Sequence, residues 1–174
     1  MKVEHYFENI TGWFDFAEVY DIAVKESKDG DTIVETGTAN GKSIVYLGVE
    51  AINSGKQLNI VTIDNTANES QVEYVKEQIA PLENVRYIHD DSIDVSESFG
   101  NNSLRMVFLD ADHEYEFVRD EMAAWWPKVM RGGVLSGHDW QNGYPGIVQA
   151  VKEFMAKNKL KMKLYGCSWF IRKP

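Results

Sequence analysis

Five short runs of apolar and β-branched residues recur along the chain, and a segment with apolar residues at helical spacing follows each run. The runs cover residues 32–35, 58–63, 85–88, 105–109 and 134–135. Such runs predict buried strands, and the spacing between them predicts amphipathic helices. Alternating strands and helices join through right-handed crossovers, so we expect a mostly parallel sheet with helices on both faces.

Each predicted helix is supported by one apolar face. The first is indicated by Trp13, Phe16, Ala17, Tyr20 and Val24, and the later ones by Ile44, Leu47, Gly48 and Ala51, by Val72, Val75 and Ile79, by Tyr115, Val118, Met122 and Trp125, and by Ile147, Val151, Phe154 and Met155. Faces of this kind pack against a sheet.

The end of the chain departs from this alternation. Residues 162–165 and 168–172 form two short strand-like runs separated by Gly166 and Cys167, which predicts a hairpin. We therefore predict an α/β fold with a Rossmann-like, doubly wound, seven-stranded sheet that is mostly parallel and ends in an antiparallel hairpin. Residues 1–174 are expected to form a single domain, with residues 1–28 as an N-terminal helical segment.

Composition limits the classes of protein that fit. A length of 174 residues with 44% apolar content suits one packed domain. The single cysteine, Cys167, leaves no partner for an internal disulfide and fits a reducing compartment. No apolar stretch approaches 18 residues and the first residues do not resemble a signal peptide, so we expect a cytoplasmic protein without a membrane partner.

The formal net charge is -9. This acidic balance argues against nucleic acid as a partner, because non-specific binding to nucleic acid relies on cationic contacts to phosphates. Four lysines in residues 157–163 form a local exception. We interpret them as a solvated helix end that leads into an edge strand.

Polar residues gather directly after each predicted parallel strand. They occupy residues 35–41, 64–65, 90–92, 110–113 and 138–139. In a doubly wound sheet, ligands bind beyond the carboxyl ends of the strands. Helix caps could account for single members such as Asp64 or Asp91, but caps do not explain five clusters at the same edge. The clustering therefore predicts a ligand site.

The loop after the first strand is rich in glycine but matches neither common phosphate-binding pattern. Gly37 and Gly41 permit a tight turn and a close helix start. The dinucleotide fingerprint would need glycines where Ala39 and Lys42 stand, and the P-loop spacing is also absent. An NAD-dependent oxidoreductase is therefore disfavoured. An acidic residue such as Asp64 after the second strand suits hydrogen bonds from both hydroxyls of a ribose.

Four segments carry a resemblance to a known family, namely residues 34–43, 91–92, 108–115 and 132–139. The chain resembles the class I S-adenosylmethionine-dependent methyltransferases over nearly its whole length. Within them it is most similar to the small bacterial "methyltransferase 24" family, which is related to catechol and caffeoyl-CoA O-methyltransferases. The resemblance implies S-adenosylmethionine as cofactor, with its methionine part at the glycine loop, its ribose at Asp64 and its adenine at Asp91 and Ser92. The predicted cofactor-binding residues are Glu35, Gly37, Thr38, Ala39, Gly41, Ser43, Asp64, Asn65, Asp91, Ser92 and Asp110.

The resemblance also implies a reacting centre. In the related O-methyltransferases the position of Asp110 binds a divalent metal, and the position of His113 holds a lysine that acts as general base. An imidazole has an ordinary pKa of about 6.5 and can take a proton from an acidified hydroxyl. Asp110 and His113 are therefore the predicted catalytic residues.

The predicted metal ligands are Asp110, His138 and Asp139, because metal-dependent relatives carry acidic or amide residues at the last two positions. Mg²⁺ or Mn²⁺ is the expected ion, and a histidine ligand favours Mn²⁺, Fe²⁺ or Zn²⁺ over Mg²⁺. If no metal binds, His138 and His113 could share the role of base.

The predicted function is O-methylation of a small hydroxyl-bearing acceptor. Two alternatives stay open, a cofactor-binding module without catalysis and an N-methyltransferase of a small molecule, although the motif typical of the latter is absent after the fourth strand. Aromatic residues that could form the acceptor pocket are Trp13, Phe14, Phe16, Trp140 and Tyr144. The sequence identifies neither the acceptor nor the oligomeric state, and a homodimer is left open.

Overall fold

A seven-stranded sheet forms the centre of the computed structural model, which describes residues 2–174. The strands are β1 (Thr32–Thr36), β2 (Asn59–Asp64), β3 (Val85–His89), β4 (Leu104–Leu109), β5 (Val129–Gly137), β6 (Met162–Tyr165) and β7 (Ser168–Arg172). Their order across the sheet is β3-β2-β1-β4-β5-β7-β6. The first five strands are parallel, whereas β7 runs antiparallel to both β5 and β6. The predicted fold class is confirmed.

Within residues 2–174, six α-helices cover the sheet. They are α1 (Ala17–Glu26), α2 (Lys42–Asn53), α3 (Glu69–Ile79), α4 (Ser92–Ser96), α5 (Tyr115–Trp125) and α6 (Pro145–Asn158). The short helix α4 was not predicted, because five residues are too few to show a periodic apolar face. Among residues 2–174, no helix combines the length and the apolar character needed to cross a membrane.

Alternate residues of each strand enter two separate cores. Ile33 and Phe108 pack in the core on the side of α1 and α2, whereas their neighbours Val34 and Val107 pack in the core with α5 and α6. Successive side chains of a strand point to opposite faces of the sheet. A strand that is apolar along nearly its whole length therefore contributes side chains to both cores. Trp125 is fully buried in the second core.

The N-terminal segment differs from the predicted helix. A short 3-10 helix spans Phe7–Asn9, and α1 begins only at Ala17. Phe14 and Phe16 pack against the first core, but the indole of Trp13 is 77% exposed. The predicted helix therefore exists from Ala17 onward, with Tyr20 and Val24 buried on one face, whereas Trp13 and Phe16 lie in the non-helical segment before it.

The strand order reverses direction between β1 and β4, and the two backbones come very close there. The amide of Asp110 donates to the carbonyl of Thr36 at 2.9 Å. Gly37 follows with a φ of +83°, and a Cβ at this position would lie 2.0 Å from the carbonyl oxygen of Asp110. Position 37 therefore requires glycine because the backbone at the end of β4 leaves no room for a Cβ. This reversal is the point at which open α/β sheets bind their ligands.

The first prediction concerns this close approach. Gly37→Ala should lower the free energy of unfolding by about 1–3 kcal/mol more than Gly55→Ala, because only Gly37 combines a positive φ with a backbone clash. Gly55 is the matched control, since its φ is +74° and a Cβ there would meet no atom within 4 Å. Urea denaturation of both variants measures the difference. Equal losses would show that backbone conformation alone selects glycine at position 37.

Candidate active site

The glycine loop after β1 is held by a carboxylate at the end of β2. Asp64 Oδ2 accepts hydrogen bonds from the amides of Thr38 at 2.9 Å and Ala39 at 3.1 Å, and Oδ1 accepts one from the amide of Thr66 at 2.8 Å. Ala39 has a φ of +45°, which is unusual for a residue other than glycine. Asp64 thus fixes the shape of the loop in addition to any contact with a ligand.

Glu35 lies beneath this loop and is 1% exposed. The hydroxyl of Tyr20 donates to its Oε2, and Thr62 Oγ1 donates to its Oε1 at 3.0 Å. Burial raises the pKa of Glu35 to about 7, although these hydrogen bonds oppose the rise. Thr62 Oγ1 is also 2.6 Å from Thr38 Oγ1, so Glu35 is linked to the loop through Thr62. Ser43, in the first turn of α2, is buried as well.

A narrow pocket opens at the ends of β1, β2 and β3. Its lining residues are Gly37, Ile63, Asp64, Asn65, Asp90, Ser92, Ala111 and Phe117. Asp91 is not among them, because its carboxylate caps α4 by accepting a hydrogen bond from the amide of Ile93 at 2.9 Å. Sequence reasoning missed Phe117. A usable signal was an aromatic residue at the start of the helix after β4, but helical periodicity alone did not distinguish it from a packing residue.

Ser92 leads to a second buried acid that the sequence did not single out. Its hydroxyl donates to Glu121 on α5, and Glu121 is 1% exposed. Burial raises the pKa of Glu121 to about 7. Two buried carboxyl groups therefore lie near the pocket, that of Glu35 close to the glycine loop and that of Glu121 hydrogen-bonded to Ser92.

Asp110, His113 and Asp139 form a cluster in which one ligand atom from each residue lies within 4.8 Å of the others. His113 Nε2 is 2.9 Å from Asp139 Oδ2. Asp139 has a φ of +59°, and strained backbone at a residue other than glycine is often found at functional sites. Burial, together with Glu35 and Asp139 nearby, raises the pKa of Asp110 well above its usual value.

His138 is near this cluster but lies outside it. Its Nε2 is 2.9 Å from Asp15 Oδ1, and its Nδ1 is 3.3 Å from Asp139 Oδ1. The structure thus brings Asp110 and Asp139 together with His113, whereas the sequence-based set joined them with His138. The difference arises because the N-terminal segment delivers Asp15 to His138, a contact across 123 positions of sequence.

A larger cavity of about 500 Å³ adjoins the cluster. It is lined by Trp13, Asp15, Phe16, Asp110, His113, His138, Asp139, Gln141, Tyr144 and Cys167. Of the five aromatic residues predicted for an acceptor pocket, Trp13, Phe16 and Tyr144 line it. Phe14 packs against Phe7 and Tyr46 instead, and the ring of Trp140 lies beneath the ammonium group of Lys152. Asp110 borders this cavity and Ala111 borders the narrow pocket, so the two spaces meet at the end of β4.

A family model described as a methyltransferase domain, of the methyltransferase 24 family, matches residues 34–140. The match covers more than half of the chain and includes the glycine loop, both buried acids and the cluster. The chain belongs to this methyltransferase family. It is an S-adenosylmethionine-dependent methyltransferase, as the resemblance implied.

Individual relatives agree with the fold. The methyltransferase is 26% identical over 156 residues to the uncharacterized protein R132 of Acanthamoeba polyphaga mimivirus, covering 80% of this chain and 69% of that protein. The solved structure of the O-methyltransferase NovP matches with a TM-score of 0.72 and 18% identity, covering 90% of this chain and 78% of NovP. An rRNA methylase from Streptococcus thermophilus matches with a TM-score of 0.69 and 13% identity, covering 93% of this chain and 99% of the methylase.

Proposed function

We propose that the methyltransferase transfers a methyl group to a hydroxyl of a small acceptor, which binds in the cavity of about 500 Å³. The observation that carries this proposal is the pair formed by His113 and Asp139 at 2.9 Å on the wall of that cavity. A carboxylate that orients an imidazole is the arrangement of a general base. The volume suits a small molecule, and NovP, a relative in fold, is an O-methyltransferase.

The narrow pocket is the proposed site of the adenosyl group. Asp64 offers a carboxylate at the end of β2, and three of its roughly four lone-pair positions already accept backbone amides. One position on Oδ1 is left, so Asp64 would accept one ribose hydroxyl rather than both, with Asn65 beside it. Ser92 and Phe117 line the same pocket and would contact adenine.

The methionine part of the cofactor would follow the glycine loop from the narrow pocket toward Asp110. Acidic surroundings suit a sulfonium cation and disfavour a pyrophosphate. The narrow pocket measures about 30 Å³, so its side chains must move apart to admit an adenosyl group. When bound, S-adenosylmethionine supplies a methyl group attached to a good leaving group, and the chain has to align the acceptor, exclude water and remove one proton.

Without a bound metal, His113 would remove that proton. Asp139 accepts a hydrogen bond from Nε2–H, which leaves the lone pair on Nδ1. The imidazole also packs against the ring of Tyr144 in a tilted arrangement, with ring centroids 4.5 Å apart, and the His113 side chain is 42% exposed. Contacts on two sides therefore hold the ring while its surface remains accessible from the cavity. Proton transfer needs this combination of fixed orientation and access.

The cluster also fits a divalent metal. Two carboxylates and one imidazole within 4.8 Å of one another form a donor set that Mn²⁺ or Mg²⁺ accepts. We propose Asp110, His113 and Asp139 as the ligands on the basis of this geometry. A bound ion would lower the pKa of an acceptor hydroxyl, and His113 would then serve as a ligand instead of a base. The set with His138 stays a sequence-based prediction.

His113→Ala should slow methyl transfer about 10²- to 10⁴-fold, because it removes the group that accepts the proton or, with a metal bound, a ligand of the ion that acidifies the acceptor hydroxyl. Calorimetry should show nearly unchanged affinity for S-adenosylhomocysteine, since His113 borders the acceptor cavity and not the narrow pocket. His5→Ala is the control, because His5 pairs with Glu50 away from either space. An acceptor screen that reads out the formation of S-adenosylhomocysteine supplies the assay. Full activity of His113→Ala would refute its role in the reaction.

Titration with Mn²⁺, monitored by electron paramagnetic resonance, distinguishes the ligand set that contains His113 from the set that contains His138. It needs no activity assay. We expect one bound ion in the native protein, and loss of that ion in Asp110→Asn and His113→Gln. His138→Gln should retain the ion, because Nε2 of His138 faces Asp15. Retention in His113→Gln with loss in His138→Gln would favour the sequence-based set, and no binding by the native protein would refute the metal site.

A further inference from the structure

Trp13 is an exposed aromatic residue on the wall of the acceptor cavity. Its side chain is 77% exposed, and in the described part of the chain only one other large apolar side chain, Leu164 at 48%, is classed as exposed. Single exposed apolar residues are common on protein surfaces. The indole of Trp13, in contrast, borders a cavity next to the cluster of Asp110, His113 and Asp139. Its ring face can therefore contact a ligand that binds in this cavity.

Trp13 and Asp15 face the same cavity from the non-helical segment that precedes α1. Both residues line the cavity, whereas Phe14 between them packs on Phe7 and Tyr46. Phe16 then anchors the end of this segment, with its ring 5.0 Å from that of His138. The segment thus presents an aromatic ring and a carboxylate to the same cavity.

The carboxylate of Asp15 has capacity for a ligand. Oδ1 contacts His138 Nε2 at 2.9 Å, and the side chain is 47% exposed. Within residues 2–174, no other hydrogen-bond or ion-pair partner of this carboxylate is present. The cavity wall also carries Asp110 and Asp139, and none of its lining residues is lysine or arginine.

We infer that the acceptor carries a protonated amine in addition to its hydroxyl, and that the ammonium group binds between the ring of Trp13 and the carboxylate of Asp15. This inference deepens the proposed function and rests on it. An ammonium group is attracted to the face of an indole and to a carboxylate at the same time. An acceptor with a carboxylate or phosphate would meet the carboxylates of Asp15 and Asp139 and no lysine or arginine, so it should bind more weakly.

Three phenols that share a ring and a hydroxyl test this inference by binding alone. They are tyramine, which is cationic, 4-ethylphenol, which is neutral, and 3-(4-hydroxyphenyl)propionate, which is anionic. Dissociation constants are measured by ligand-observed NMR with the protein saturated with S-adenosylhomocysteine. We expect tyramine to bind about tenfold more tightly than 4-ethylphenol, and the propionate to bind more weakly than either.

Variants of Asp15 and Trp13 test which residues cause the preference for tyramine over 4-ethylphenol. Asp15→Asn keeps an acceptor oxygen for His138 but removes the charge, and it should abolish the advantage of tyramine over 4-ethylphenol. Trp13→Leu should weaken tyramine binding about three- to tenfold. Glu18→Gln, an exposed residue that does not line the cavity, is the matched control and should change neither value.

Equal binding of the three phenols, an advantage of tyramine that persists in Asp15→Asn, or no binding of tyramine would each overturn the inference. Failure of the proposed function gives a different result. If tyramine binds through Asp15 but no hydroxyl compound accepts a methyl group, only O-methylation is refuted. If a neutral or anionic phenol is methylated while tyramine shows no advantage in binding, only the ammonium site is refuted.

Discussion

The contact between the backbones of Gly37 and Asp110 is the constraint on which the rest of the site depends. A Cβ at residue 37 would lie 2.0 Å from the carbonyl oxygen of Asp110, so the ends of β1 and β4 can meet only if residue 37 is glycine. This approach places the glycine loop, the proposed cofactor-binding loop, directly beside residues 110–113, which carry the proposed reacting groups. The proposed pocket for the donor and the proposed cavity for the acceptor then open on either side of one short turn.

Several acidic side chains lie near this turn. No lysine or arginine among residues 2–174 lines the proposed acceptor cavity, so no basic side chain there offsets their charge. Burial raises the pKa of Glu35 and Glu121 to about 7, and it raises that of Asp110 well above its usual value. Glu35 is compensated by donors from Tyr20 and Thr62. A nearby cation favours the ionised form of such carboxyl groups and is attracted to it, and a sulfonium, a divalent ion and an ammonium group are all cations. The same electrostatic feature thus supports the cofactor site, the metal site and the inferred acceptor chemistry.

The sheet could be predicted from the sequence because it depends on local pattern. Each parallel strand is a short apolar run, and Gly166 with Cys167 indicated the hairpin. The side-chain contacts of the cluster depend instead on distant residues and on backbone conformation. His138 contacts Asp15, which lies 123 positions earlier, and Asp139 has a φ of +59° that no pattern of polar and apolar residues specifies. Asp91 was predicted to meet adenine, but its carboxylate caps α4, a helix too short to recognise in advance.

A crystal structure of the protein with S-adenosylhomocysteine tests the central claim most directly. We predict that its adenosyl group occupies the pocket between Asp64 and Phe117, with one ribose hydroxyl on Asp64 Oδ1. The sulfur atom should then lie at the turn that joins this pocket to the cavity lined by Asp110 and His113. A sulfur atom directed away from that cavity, or an adenosyl group bound elsewhere, would contradict the account.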